Sequence, residues 1–103
     1  MNIKEIVDFI KECDYFVVVT QNGSFPSARP FGAIFSTNDK LYLSTNNTKK
    51  VYNQILKNNH IHIMALKPKT RIWIRFNAVA IPCNDLDIKQ QMFESNKRLQ
   101  EIY

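Results

Sequence analysis

A chain of 103 residues has room for one hydrophobic core and not for two. With 45% hydrophobic residues at dispersed, regular spacings it has the make-up of a folded domain rather than a disordered segment. The net charge of +5 comes from lysines spread over nearly every element, among them Lys4, Lys11, Lys40, Lys57, Lys67, Lys69, Lys89 and Lys97. No recognition-helix, RNP-type or zinc-finger pattern accompanies them, which argues against a nucleic-acid partner.

No apolar run approaches the roughly 18 residues of a membrane-spanning helix. The charged N-terminus "MNIKEIVDFIKECD" also lacks the apolar segment of a signal peptide, so a cytoplasmic protein without a membrane partner is expected. Cys13 and Cys83 are far apart and form no C-x-x-C pair; both read as packing residues, and no metal is expected.

In chain order, Ile3, Ile6, Val7 and Ile10 recur at helical spacing and predict an amphipathic first helix with Asn2 as N-cap. "YFVVVT" (Tyr15 to Thr20) is a β-branched and aromatic strand ending at Asn22-Gly23, a hairpin signal. The returning segment contains Pro26 and Pro30, which restrict it to a sheet edge or an interrupted strand. A regular strand is predicted from Phe31 to Phe35, and "TNDK" turns it into "LYLST". Three meandering strands are therefore expected.

After Thr45 the period changes. Val51, Tyr52, Ile55 and Leu56 predict a second helix with Thr48 as its N-cap. "HIHIMAL" alternates as a strand, "KPKT" is a loop, and "RIWIRFNAVAI" alternates again. That alternation sets Arg71, Trp73, Arg75 and Asn77 on one face, and Ile72, Ile74, Phe76 and Ala78 on a core face. A last helix is predicted from about Asp85, with Ile88, Met92, Leu99 and Ile102 as its buried stripe. The class is α+β, with a mainly antiparallel sheet curled into a small barrel and helices flanking it.

The segment "STNNTKK" joins a strand end to a helix start. Ser44 and Thr45 hydroxyls, the free N–H groups of a first helical turn, Lys49 and Lys50, with Arg29 on the neighbouring strand, could grip a phosphate. By spacing alone the same residues also suit a capped helix with solvated lysines. His60 and His62 share a strand face without a convincingly spaced third ligand. Asp85 and Asp87 are explained by helix capping. No nucleophile is paired with a base and no G-x-S-x-G occurs, so catalytic residues stay unassigned.

At these residues the sequence resembles a known family. "ARPFGAIF", "LYLSTNNTKKVYNQI" and "WIRFNAVA" are similar to three linked motifs of the flavin-binding split-barrel family related to pyridoxamine 5'-phosphate oxidase, especially its short nitroimidazole-resistance-like branch. The likeness runs from about Ile6 to Tyr103. It implies a single split β-barrel domain over 1–103 that forms a homodimer, with flavin mononucleotide (FMN) in clefts between subunits. Carried over by position, Arg29 would meet the phosphate and ribityl region. The backbone of Pro30, Phe31 and Gly32 would run along the isoalloxazine ring. Ser44, Thr45, Asn46 and Lys49 would hold the phosphate, with Lys50 the alternative lysine, and Trp73 and Arg75 would reach the cofactor or substrate side of the cleft. Ala78 stands where the family commonly has glycine. The family usually continues past the last helix into a strand or hairpin, whereas this sequence stops at "LQEIY", so the expected domain would lack that element. The implied activity is FMN-dependent oxidoreduction, passing reducing equivalents to a small planar acceptor. A non-catalytic flavin- or nucleotide-binding protein, a sensor or carrier, is the alternative.

Overall fold

The structure is a computed structural model that describes residues 1–44 and 50–95. Helix α1 (Ile3–Lys11) starts in a capping box: the Glu5 N–H donates to Asn2 Oδ1 at 2.8 Å, and the Asn2 N–H donates to Glu5 Oε1 at 3.4 Å. Two first-turn amides that lack intrahelical partners are thereby satisfied. Val7 and Ile10 form the buried stripe of this helix.

Strands β1 (Phe16–Asn22) and β2 (Phe25–Phe31) form a hairpin with Phe16 opposite Phe31 and Asn22 opposite Phe25. The loop residues are Gly23 and Ser24, one place later than Asn22-Gly23, because the single positive φ falls on Gly23 (φ 62°). β2 tolerates Pro26 and Pro30 because it is an edge strand of the sheet, whose order is β2-β1-β5-β6.

The predicted strand from Phe31 to Phe35 is split. β2 ends at Phe31 and β3 (Ile34–Thr37) begins after Gly32 and Ala33. Ala33 and Ile34 are neighbours and both buried, which a continuous strand with alternating faces does not allow. The chain instead leaves the sheet and packs β3 against α1. β3 pairs with β4 (Lys40–Leu43) through a two-residue turn in which Asn38 (φ 53°) and Asp39 (φ 57°) are both left-handed. The expected three-strand meander is thus two hairpins belonging to two sheets.

Helix α2 (Lys50–Lys57) leads into β5 (His60–Leu66), which pairs antiparallel with β1 and with β6 (Trp73–Val79). Ile74, Phe76 and Ala78 pack on the core as expected, but Ile72 precedes the strand and is exposed. Helix α3 (Leu86–Ser95) is capped by Asp85, whose Oδ1 accepts from the Asp87 N–H at 2.9 Å, and Met92 is buried. The expected stripe positions Leu99 and Ile102, and the cap Thr48, lie outside the described residues.

The core joins Val7 and Ile10 of α1 to Phe16 and Val18 of β1, Phe31, Ile34, Val51 of α2, and Ile61, Ile63 and Ala65 of β5. Phe16 and Phe31 meet with ring centroids 5.9 Å apart. Phe16, Ile63 and Val18 are almost wholly removed from water, worth roughly 1.5–3 kcal/mol each relative to exposure. The two antiparallel sheets and three helices make an α+β domain.

Candidate functional site

The β1–β2 register pairs Val18 with Arg29 and Thr20 with Ser27, so all four residues share one face. That face is the inner one, as the burial of Val18 and Thr20 shows. α2 covers its end and contributes Gln54, a polar residue on the buried side of the helix. Here Arg29 Nη1 donates to Thr20 Oγ1 at 2.7 Å and to the Val18 carbonyl at 3.5 Å. Its Nη2 donates to Ser27 Oγ at 2.7 Å and to Gln54 Oε1 at 2.9 Å. The Thr20 hydroxyl in turn donates to Gln54 Oε1 at 2.5 Å.

Every one of these acceptors is neutral, and among the described residues no carboxylate forms an ion pair with Arg29. Burial alone pushes the affinity of the guanidinium for its proton below the ordinary value. An arginine side chain nevertheless stays charged. The result is a half-buried, oriented cation with no counter-ion among the described residues.

The other expected site residues fall into two groups. Ser44 is half-buried just after β4, and Lys50 is exposed at the first residue of α2, one helical turn before Gln54. Lys50, four residues before Gln54, is thus the neighbour along α2 of a residue that Arg29 contacts. Phe31 is buried, so only its backbone is available, while Pro30 and Gly32 are exposed beside it. Thr45, Asn46 and Lys49 lie outside the described residues.

Trp73 and Arg75 form the second group, on the outer face of β6, with the Arg75 Cζ 5.7 Å from the Trp73 ring centroid. β2 and β6 are the two edges of the four-stranded sheet. Three strand spacings, about 14 Å, separate them across the sheet, and the two groups face opposite sides. One chain therefore does not close a single cleft with both.

The outer face itself is unusual. Pro26, Ala28 and Pro30 of β2, Val17 and Val19 of β1, Met64 and Leu66 of β5, and Trp73 and Val79 of β6 all point to it, and Trp73 is 51% exposed. Its polar members are Gln21, His60, Arg75 and the pair His62–Asn77, whose Nδ1 and Oδ1 lie 2.7 Å apart. No aspartate or glutamate occurs at any outward position of these four strands.

The sequence profile of the pyridoxamine 5'-phosphate oxidase family matches residues 3–102, nearly the whole chain. The chain belongs to that family. Among solved structures it is similar to a NimC/NimA family protein of Clostridium acetobutylicum, with a TM-score of 0.91 and 33% identity over 99% of this chain and 71% of that one. A Listeria innocua protein assigned to pyridoxamine 5'-phosphate oxidase shares the fold with a TM-score of 0.73 at 18% identity, over 89% of this chain and 74% of that one. Comparison with the curated proteins gave no match. The α+β split-barrel reading stands with these neighbours, and the family is of the flavin-binding, oxidoreductase type. Among the described residues no helix is long and apolar enough to cross a membrane.

The residues of this family member suit such a cofactor at its anionic end. A cation held by neutral oxygens keeps its whole charge available to a phosphate, which a carboxylate partner would have taken up. Two residues of this arrangement, Thr20 and Gln54, were not singled out from the sequence. Gln54 lies three positions after Val51 on the apolar side of α2, and a glutamine at such a position was the available signal.

Proposed function

We propose that the protein is a cytoplasmic FMN-dependent oxidoreductase acting as a homodimer, with reducing equivalents passed to a small planar acceptor. The observation that carries this reading is the family match over residues 3–102. The uncompensated Arg29 beside α2 supports it. Arg29, Ser44 and Lys50, with Thr45, Asn46 and Lys49 between them in sequence, would hold the phosphate. The backbone of Pro30, Phe31 and Gly32 would border the ring. Bound FMN would supply the electron transfer itself, which the protein's side chains are poorly equipped to do.

The separation of the two groups supports the dimer reading. A two-fold partner seated on the outer face would bury Val19, Met64 and Trp73 and would bring one chain's Trp73 and Arg75 against the other chain's sheet, where a cleft could open past the edge strand β2. Two equivalent clefts would result. Within each, Arg75 would add positive charge near the ligand and Trp73 an apolar wall that excludes water.

The test is the visible spectrum of the purified protein, followed by anaerobic reduction with a nicotinamide donor. Flavin absorbance that bleaches on reduction and returns with a planar acceptor is the expected result. Flavin absorbance without turnover would move the assignment to a flavin-binding sensor or carrier.

A further inference from the structure

We propose that Gln54 and Thr20 are positioning residues for the phosphate end of the flavin site: they fix the Arg29 guanidinium through neutral oxygens and so keep its positive charge free for an anionic ligand. The proposal rests on the flavin reading above and assigns a role to two residues outside the expected site.

Three observations carry it. Gln54 Oε1 accepts from both Arg29 Nη2 (2.9 Å) and Thr20 Oγ1 (2.5 Å), while Thr20 Oγ1 accepts from Arg29 Nη1 (2.7 Å). The three side chains therefore form a closed ring of hydrogen bonds. Next, the ring joins β1, β2 and α2, and Gln54 stands four residues after Lys50, about 6 Å along the helix axis. The orientation of Arg29 and the seating of the first turns of α2 are thereby set together. Last, an aspartate or glutamate would be the ordinary partner for a half-buried arginine, yet a buried amide occupies that place. A carboxylate there would stabilise the arginine but cancel its field. The neutral amide gives the same geometry and leaves the charge intact.

A merely structural clasp and a charge-preserving one respond oppositely to Gln54→Glu. The substitution is nearly isosteric, keeps an acceptor for Arg29 and Thr20, and places a negative charge against the guanidinium. The assay titrates FMN and riboflavin, which lacks the phosphate, into wild-type protein, Gln54→Glu, Thr20→Val and the conservative Thr20→Ser. Thermal melting of each ligand-free protein is followed alongside.

The expected result is that Gln54→Glu melts no lower than wild type yet binds FMN about tenfold or more weakly, with riboflavin affinity unchanged. Thr20→Val should weaken FMN several-fold and leave riboflavin alone, and Thr20→Ser should restore FMN affinity. Wild-type FMN affinity in a folded Gln54→Glu protein overturns the proposal while leaving the flavin reading intact. Equal losses for FMN and riboflavin overturn it too, since they would mark a distortion of the whole cleft. If Gln54→Glu does not fold, the Thr20 pair decides by the same split between ligands. Wild-type protein that binds neither compound fails the flavin reading itself, and the positioning role with it.

Discussion

Arg29 and Gln54, 25 residues apart in sequence, meet through a 2.9 Å hydrogen bond that fastens the edge strand β2 to helix α2. The contact is part of the core as much as of the site. Thr20 is only 2% exposed, and it loses its donor when Arg29 is shortened. Arg29→Met should therefore lower stability by roughly 1–3 kcal/mol, because the oxygens of Thr20, Ser27 and Gln54 are left short of donors in a partly dry place. For a domain of this size that is a fall in Tm of roughly 4–8 °C per kcal/mol, readable by circular dichroism. A melting point unchanged within a degree would show that water satisfies those oxygens.

The outer face of the four-stranded sheet gives the prediction on assembly. Val19 lies on it, opposite Ala28 and His62, away from the core. Val19→Glu should leave the far-ultraviolet circular dichroism of the domain unchanged while converting the proposed dimer to monomer in light scattering at micromolar concentration. The charge would be desolvated by the partner. Dimers that persist in the variant would move the interface elsewhere.

Trp73 separates the two surfaces functionally. Its ring is stacked with Arg75 on the exposed side of β6 and carries no core packing, so Trp73→Ala should leave Tm nearly unchanged. Under the proposed dimer it should nevertheless weaken binding of both FMN and riboflavin, by roughly 1–3 kcal/mol for a lost aromatic wall. This is the opposite pattern to the phosphate-end variants, which discriminate between the two ligands.

The cysteines behave differently from one another. Cys13 is half-buried and donates to the Phe9 carbonyl at 3.4 Å. Burial first, then the carboxylates of Glu12 and Asp14, push its thiol above the ordinary pKa, with Lys67 opposing in part. Cys83 is exposed. Since the thiolate is the reacting form, iodoacetamide at pH 8 should modify Cys83 well before Cys13, and the Cys13 rate should keep rising as pH passes the ordinary thiol range. Equal rates at pH 8, measured by peptide mass spectrometry, would contradict this.

Much of this architecture was legible because local chemistry and global packing agree. Asn2 ahead of the helical spacing of Ile3, Ile6, Val7 and Ile10 announces the start of α1. The alternation of Ile74, Phe76 and Ala78 with Trp73, Arg75 and Asn77 announces β6 and its two unlike faces. The misreadings have particular causes. The run from Phe31 to Phe35 is apolar throughout, so its break at Gly32 and Ala33 is hidden from any periodicity; only the packing against α1 reveals it. Cys83 read as a packing residue by type, whereas it lies exposed between β6 and α3.

The candidate site was legible in part. Arg29 was singled out, and its guanidinium is held beside α2 by neutral oxygens. Which way Arg29 faces depends on its cross-strand partner Val18, a pairing set by the hairpin register rather than by neighbouring residues. Gln54 was not singled out, because helical spacing gives a polar residue no buried role unless its partner is known. That partner sits 34 residues earlier, at Thr20.

The central claim is that this chain holds FMN by its phosphate end. Titrating FMN into the purified, flavin-free protein, with riboflavin in parallel and flavin fluorescence as the readout, tests it most directly. Saturable binding of one FMN per chain is predicted, at least tenfold tighter than riboflavin, because the proposed charge contacts from Arg29 and from Lys50 at the start of α2 would act only on the phosphate. Equal affinities for the two, or no saturation by FMN at millimolar concentration, would contradict it.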